Sequence, residues 1–350
     1  MAEKVRKGTQ ARLAESGTGG VIIASAPGRA GIIGNPTDGY GGSVISCSLQ
    51  ERAHVRLVPG KAPGVRLTMS DEAAELAGRS DYHLRGDRFD LVRAVLSYLR
   101  HYDGGFSIST RTDVPVSAGL AGSTALLVAI VAAVLEHLGV RHHRHYLAEV
   151  ARVIELNYMK TQCGYQDAYM AVFGGLQYMD FRDKEFYREL SREVYATMEP
   201  LGEMVAELPA VVVHTGHERH SGSVLRPIRE RWLEGDRGVV EGYRRIGQLC
   251  RQGKRALLDR DWPTLGRLMN ENHAVQRELG ASGPANDELV ERCLHQGCWG
   301  AKLAGAGGGG HIVALHPEPG ELVLRLAEDG YTRVIRPKPS AGLTVSRESH

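Results

Sequence analysis

The segment GLAGSTALLVAIVAAVL, residues 119–135, decides the fold because it joins a glycine-rich turn to one of the most apolar runs in the chain. Gly119 and Gly122 stand beside the hydroxyl residues Ser123 and Thr124, just before the apolar residues. A helix that starts near Ser123 presents unpaired backbone N–H groups and the positive end of its dipole, which together can bind an anion. The segment therefore predicts either a phosphate-binding turn ahead of a buried helix or a tight strand-to-helix turn capped by Ser123.

The composition is that of an ordinary globular protein. Among 350 residues, Lys and Arg number 43 and Asp and Glu 41, which gives a formal net charge of +2. Such a balance offers no broad basic surface to nucleic acid or to an anionic membrane. The five cysteines lack C-x-x-C pairing and zinc-ligand spacing, and no apolar stretch reaches the roughly 18 residues that span a bilayer. We therefore expect a cytoplasmic monomer or homodimer whose partners are small molecules.

Hydrophobic periodicity divides the chain into a first block of strands and helices and a second, mostly helical block. In the first block it predicts a strand that ends at Pro27, strands at 41–59, 106–116 and 173–181, and helices at 71–101, from 123 onwards and at 145–158. In the second it predicts a strand at 209–216, loops and strands at 300–315 and 330–338, and helices at 223–234, 238–258, 261–278 and 285–296. We place a flexible N-terminus at 1–20 and two domains at 21–204 and 205–350.

Two further glycine-containing stretches accompany the first: APGRAGIIGNPTDGYGG at 26–42 and KLAGAGGGGHIV at 302–313. The P-loop pattern is absent, as is a Rossmann fingerprint in the first βαβ unit. With PVSAGLAGSTA at 115–125, the stretches resemble, in order and spacing, the three signature motifs of the GHMP superfamily of small-molecule kinases, which includes galactokinase, homoserine kinase, mevalonate kinase and phosphomevalonate kinase. The resemblance implies an α+β fold of two domains, ribosomal-S5-domain-2-like and then ferredoxin-like, that uses ATP and Mg²⁺.

Within that superfamily, three stretches resemble the glucuronokinases: GNPTD at 34–38, GYQDAYMAVFGGLQYMDF at 164–181 and SGSVLRPIRERWLEGD at 221–236. The resemblance implies a sugar kinase that phosphorylates the anomeric hydroxyl of a uronic acid. Residues 164–175 also resemble the bacterial heptose kinases, so a heptose or other neutral-sugar 1-kinase is the alternative. A non-catalytic sugar-binding regulator on the same fold is a third interpretation.

The resemblance also implies roles for single residues. Asp167 is expected to be the catalytic base, with Arg29 contacting it or the reacting hydroxyl, and Thr124 and Glu155 are expected to bind Mg²⁺. The implied nucleotide-binding residues are Pro115, Ser117, Gly119, Leu120, Ala121, Gly122, Ser123 and Thr124. The implied acceptor-binding residues are Asn35, Asp38, Gly164, Gly307, Gly308 and Arg229. Without the resemblance, Asp167 and Asp38 also fit turn chemistry, and Glu155 fits a solvated helix face.

A uronic acid carries a carboxylate at C6, and burying that charge requires a cation, preferably a bidentate arginine. The stretch 221–236 supplies Arg226, Arg229 and Arg231. An amphipathic helix with solvated arginines is the alternative, and we expect at least one of the three to be solvated. Arg229 is the one that we assign to the acceptor.

Overall fold

The structure is a computed structural model that describes residues 20–99, 105–115, 119–184, 194–217 and 221–348, with the backbone alone at 221–223. All but the last residue of the predicted flexible segment 1–20 lies outside the described residues, as does Ser117. Within them the chain forms two β-sheets and the helices that cover them, which confirms the α+β class.

The first sheet is built mainly from the first half of the chain. Its strands are β1 (Val21–Ile33), β2 (Ser43–Gly60), β3 (Gly64–Met69), β4 (Glu72–Leu76), β5 (Gly105–Thr112), β6 (Leu176–Asp180), β7 (Thr197–Pro200) and β12 (Thr344–Glu348). They pair in the order β12-β1-β2-β5-β3-β4, and β2 also pairs with β6, which pairs with β7. The second sheet has the order β11-β8-β10-β9, with β8 at Ala210–His214, β9 at Gly300–Leu303, β10 at His311–Leu315 and β11 at Val334–Ile335.

The helices begin at local signals that the sequence contains. They are α1 (Asp90–Leu99), α2 (Gly122–His137), α3 (Arg144–Val153), α4 (Gln166–Phe173), α5 (Ser221–Leu233), α6 (Arg237–Leu258), α7 (Trp262–Glu278), α8 (Pro284–His295) and α9 (Pro319–Glu328). The Asp236 and Asp261 carboxylates cap α6 and α7 by accepting backbone N–H bonds. A short 3₁₀ helix, Thr37–Tyr40, follows β1, and α3 continues into a π-helical turn, Ile154–Tyr158.

Helix α2 lies at the centre of the larger core. Every residue from Leu127 to Leu135 is buried, because β1 and β2 pack on one side of the helix and α1, α3 and α4 on others. Full burial of each Leu, Val or Ile side chain contributes about 1.5–3 kcal/mol. The apolar run is therefore explained by contacts all round the helix, and these contacts hold its glycine-led N-terminus in a fixed place.

Strand β1 does not end at Pro27, as predicted, but continues to Ile33. Its pairing with β12 stops at Ser25, so the missing N–H of Pro27 removes no bond to that strand. Beyond Pro27, the N–H groups of Arg29 and Gly31 donate to the carbonyls of Leu120 and Ala304, at 2.9 and 3.0 Å. The extended end of β1 thereby joins the second and third glycine-rich motifs.

The structure differs from the predicted elements at several other places. Residues 71–101 are not one helix, because residues 72–76 form β4 opposite β3 and the α-helix in the described part of this stretch is Asp90–Leu99; residues 100 and 101 lie outside the described residues. Pairing in a hairpin overrides the helical propensity of EAAEL here. Helices α4 and α9 were not predicted. Strand β12 pairs with β1, although the predicted boundary between 204 and 205 assigns it to the second domain; the two-domain division itself stays a prediction.

The remaining helices of the second block are confirmed to within two residues at each end. Among the helices that the structure describes, none combines the length and the apolar composition that crossing a bilayer requires.

Candidate active site

A cavity of about 830 Å³ brings the three glycine-rich motifs together with the start of α4 and with α5. The predicted site residues that line it are Arg29, Asn35, Asp38, Pro115, Gly119, Ala121, Gly122, Ser123, Thr124, Glu155, Gly164, Asp167 and Arg229. Leu120, Gly307 and Gly308 are described but do not line it. Residues far apart in sequence thus meet around one cavity.

Arg29 and Asp167 form an ion pair at the cavity wall. Arg29 Nε and Nη2 both donate to Asp167 Oδ1, at 2.8 and 2.6 Å, and Nη1 donates to the Gly119 carbonyl at 2.5 Å. The arginine is buried, whereas the Asp167 side chain is 31% exposed. Since both arginine bonds go to Oδ1, Oδ2 is the carboxylate oxygen left to accept a proton from a bound hydroxyl.

The segment 119–124 turns sharply into α2. Gly119 has φ 77° and Ala121, the N-cap residue of α2, has φ 60°, both in the left-handed region. No side chain of the described residues caps this helix end, so the predicted alternative of a cap by Ser123 is wrong. Uncapped N–H groups beside the exposed Ser123 are the feature that an anion site requires. Leu120 is buried and contributes its carbonyl to Arg29.

Thr124 and Glu155 meet between α2 and the π-helical turn. Thr124 Oγ1 donates to the Glu155 carboxylate, with Oε1 and Oε2 at 3.2 and 3.1 Å. The pKa of Glu155 is raised to about 7, chiefly by burial and also by the nearby Asp167 carboxylate. A buried carboxylate that is costly to ionise is a good ligand for a cation that compensates its charge.

These two residues fit Mg²⁺, which binds proteins through one or two carboxylates and fills its shell with water and substrate phosphates. Within the described ranges there is no group of three or more His, Cys, Asp or Glu residues that could enclose a metal by themselves. The donor set thus suits a metal that arrives with a nucleotide.

Asp38 and Asn35, both predicted to bind the acceptor, lie in the segment that follows β1. Asp38 Oδ2 accepts the N–H groups of Tyr165 and Gln166, at 2.7 and 2.9 Å. Asn35 Nδ2 donates to the Gly305 carbonyl at 2.9 Å, and its Oδ1 accepts from Lys302 Nζ at 2.7 Å. Asp38 therefore also links this segment to the start of α4, and Asn35 links it to the third glycine-rich motif.

The third glycine-rich motif contributes Gly305 and Ala306 to the cavity instead of the predicted Gly307 and Gly308. A Cβ on Gly307 would lie 1.9 Å from the Ala281 carbonyl oxygen, and one on Gly308 would lie 2.5 Å from Val224. Both glycines also have positive φ, 96° and 70°. They are needed for close packing and backbone conformation, which composition alone does not distinguish from ligand contact.

The three arginines of α5 lie in different surroundings. Arg226 is exposed, Arg231 donates to Asp236 Oδ2 at 2.8 Å, and Arg229 is buried. Arg229 lines the cavity and donates through Nη1 to Gln162 Oε1, and burial lowers the pKa of its guanidinium. Of the three, Arg229 is therefore the one placed to meet a bound ligand.

Two residues of the site were not foreseen. Gln162 orients Arg229, and Lys302, fully buried, fixes the amide of Asn35. The pKa of Lys302 is lowered to about 7, chiefly by burial and also by the Arg29 charge. The position of Lys302 at the head of the third motif was a signal, but no pattern in the sequence indicated that Gln162 faces α5.

Three family models match the chain. "GHMP kinases N terminal domain" matches residues 90–175, "GHMP kinases C terminal" matches 254–331, and "Galactokinase galactose-binding signature" matches 14–57. The first match includes Thr124, Glu155 and Asp167, and the last includes Arg29 and Asp38.

Individual relatives span most of the chain. Glucuronokinase 1 of Arabidopsis thaliana is 30% identical over 327 residues, which cover 86% of each protein. A mevalonate kinase of Pyrococcus horikoshii is 29% identical over 316 residues, 85% of this chain and 89% of the relative. The solved structure of a D-glycero-D-manno-heptose 1-phosphate kinase from Bacteroides thetaiotaomicron has a TM-score of 0.72 and 21% identity, and the match covers 94% of this chain and 100% of that one. The fold predicted from the three motifs is confirmed.

Proposed function

Because the chain belongs to the GHMP kinase family and is thus a small-molecule kinase, we propose that it transfers the γ-phosphoryl group of ATP to the anomeric hydroxyl of a uronic acid. The observation that carries this proposal is the Arg29–Asp167 pair, which lines one cavity with the glycine turn at 119–124 and with the buried Arg229. Phosphorylation of a uronate needs a site for the phosphate donor, a base for the hydroxyl proton and a cation for the carboxylate. We assign these roles to the glycine turn, to Asp167 and to Arg229.

In this reaction the anomeric oxygen forms a bond to the γ-phosphorus, the bond to the β,γ-bridging oxygen breaks, and ADP leaves. Asp167 Oδ2 accepts the hydroxyl proton as the new bond forms. Arg29 holds Oδ1 of that carboxylate through two donors and so sets the direction of Oδ2. Its third bond, to the Gly119 carbonyl, fixes the base relative to the phosphate-binding turn.

Mg²⁺, when bound, neutralises charge on the phosphates. Thr124 and Glu155 are the residues that would hold it. The N–H groups at the start of α2 and the Ser123 hydroxyl would contact phosphate oxygens.

Arg229 favours the uronate over the alternative neutral sugar, because a neutral hydroxyl does not require a buried guanidinium. The likeness to the heptose kinase structure concerns the fold alone. A non-catalytic regulator would have no need of an ordered base and metal carboxylate in one cavity, and both Asp167 and Glu155 are present there.

An acceptor panel tests the substrate class. Purified protein with ATP and Mg²⁺ is given glucuronate, galacturonate, glucose, galactose and a mannoheptose, and ADP release and the position of the phosphate are measured. We expect kcat/KM to be highest with a uronate and the product to be a 1-phosphate. A clear preference for heptose or a neutral hexose would reject the uronate and leave a sugar kinase of another specificity.

The Mg²⁺ assignment gives a further prediction. Glu155→Gln and Thr124→Val should each raise the free Mg²⁺ concentration for half-maximal rate by about tenfold or more, since each removes an oxygen ligand or its charge. Rates are measured against free Mg²⁺ at constant ATP. Glu136→Gln, at the far end of α2 and paired with Arg347, is the matched control and should behave as wild type.

The pH dependence of the same measurement checks the ligand's identity. Because the pKa of Glu155 is raised to about 7, more of the carboxylate is protonated at pH 6 than at pH 8, and metal binding must displace that proton. The Mg²⁺ requirement of the wild type should therefore rise as the pH falls through 7, and that of Glu155→Gln should rise less. Superimposable titrations of wild type and both variants would show that Mg²⁺ binds elsewhere.

A further inference from the structure

We propose that Asp38 positions the catalytic base in addition to binding the acceptor: one oxygen of its carboxylate holds the first turn of the helix that carries Asp167, while the other is left for a sugar hydroxyl. This inference rests on the proposed kinase function but not on which sugar is phosphorylated.

The contact is made at the start of α4. Tyr165 and Gln166 immediately precede Asp167, and their backbone N–H groups both donate to Asp38 Oδ2, at 2.7 and 2.9 Å. The first N–H groups of a helix have no partner within the helix, so a carboxylate there fixes the position of the first turn. Oδ1 takes no part in these two bonds, and Asp38 lines the cavity.

The neighbouring Gly164 shows how tightly this contact is built. A Cβ at position 164 would lie 1.9 Å from Asp38 Oδ2. The carboxylate therefore occupies the space in which any other residue would place its side chain. Asp38 itself sits in the 3₁₀ helix Thr37–Tyr40, which the Thr37 hydroxyl ties to the Gly34 carbonyl at 2.7 Å.

The base is thus held from two directions. Arg29 binds its side chain directly, and Asp38 acts through the backbone one and two residues before it. An error of about 1 Å in the position of a catalytic group can cost about a hundredfold in rate. A sugar hydroxyl bound to Oδ1 would contact the same carboxylate that sets this position.

The turn has a second anchor that should keep it folded when Asp38 is changed. The Tyr165 ring is fully buried, with the Arg152 guanidinium 3.8 Å and the Lys184 ammonium 4.2 Å from its centroid. Removing Asp38 should therefore loosen the first turn without unfolding α4.

Asp38 is ionised in the assay range above pH 7. Burial and the Asp167 charge raise its pKa, the two backbone bonds and the charge of Arg29 oppose the rise, and the net pKa is about 6. Measurements at pH 8 therefore compare a charged carboxylate with its neutral replacements.

The experiment compares Asp38→Asn with Asp38→Ala at pH 8, with the acceptor that the wild type uses best. Asparagine keeps an oxygen for the two N–H groups but places an NH₂ group where Oδ1 was. We expect its kcat to stay within about threefold of wild type and its KM for the acceptor to rise about tenfold. Alanine removes both functions, so kcat should also fall by about thirtyfold or more, with KM for ATP unchanged.

Gly164→Ala is the second variant, because it displaces the carboxylate without removing its charge. It should lower kcat as Asp38→Ala does, and thermal unfolding should show all three variants folded. Equal kcat in the Asn and Ala variants would overturn the positioning role, and an unchanged acceptor KM in both would overturn the ligand role. A wild type that phosphorylates no sugar would contradict the proposed function instead.

Discussion

Asp167→Asn is expected to lower kcat by about 10²–10⁴-fold while the fold and the affinity for ATP are retained. An amide oxygen can still accept the two bonds that Arg29 donates to Oδ1, so the side chain keeps its place. The amide nitrogen that replaces Oδ2, however, cannot accept the proton of the attacking hydroxyl. The loss should therefore appear in kcat and leave substrate binding nearly unchanged.

Three measurements together check this prediction: steady-state kcat and KM, ATP binding by calorimetry, and thermal unfolding. Asp259→Asn is a suitable control, because that aspartate is exposed and paired with Arg255, and neither residue lines the cavity. A kcat near that of the wild type would show that Asp167 is not the base. A loss of ATP binding of the same size would instead give it a structural role.

Arg229→Gln is expected to raise KM for a uronate by about a hundredfold or more, with a much smaller change for any neutral sugar that is accepted. Removing one partner of a buried ion pair costs about 3–5 kcal/mol, because the remaining charge stays buried without compensation. A neutral sugar presents no carboxylate at C6, so it loses far less. The ratio of the KM change for the uronate to the KM change for the neutral sugar shows whether Arg229 binds the carboxylate.

The chain provides a matched control and a second variant. Arg226→Gln changes an exposed arginine one turn away on α5 and should leave both KM values as they are. Gln162→Glu keeps an acceptor for Arg229 but offsets its charge, so it should weaken uronate binding in the same direction. If Arg229→Gln raises KM equally for uronate and neutral sugar, Arg229 does not bind the carboxylate.

The sequence predicted correctly those features that depend on one continuous segment. The glycine turn before α2 was predicted because its residues are adjacent and their backbone conformation is local, as the φ values of Gly119 and Ala121 show. The reaction class followed from the order of three such segments. In the third glycine-rich motif the sequence did not show which residues line the cavity: Gly305 and Ala306 do, whereas Gly307 and Gly308 are packed against Ala281 and Val224. Contact of those two glycines with the acceptor stays a prediction.

Other features became visible only in three dimensions. The sequence predicted a role for Asp38 at the acceptor but not its bonds to the backbone of Tyr165 and Gln166. It supplied three arginines in α5 but could not decide which is buried, because helical periodicity does not show which neighbouring element covers each face. No pattern in the sequence indicated that Gln162 contacts and orients Arg229.

By itself, then, the sequence determined the fold family, the kinase class and the glycine turn before α2, since each depends on residues close together in the chain. The tertiary structure alone decided the partnerships: Arg29 meets Asp167 across 138 positions, and Asn35 meets Lys302 across 267. The physical reason is that local residues fix backbone conformation and helix starts, whereas such contacts depend on how β1 packs against α2, α4 and the third glycine-rich motif.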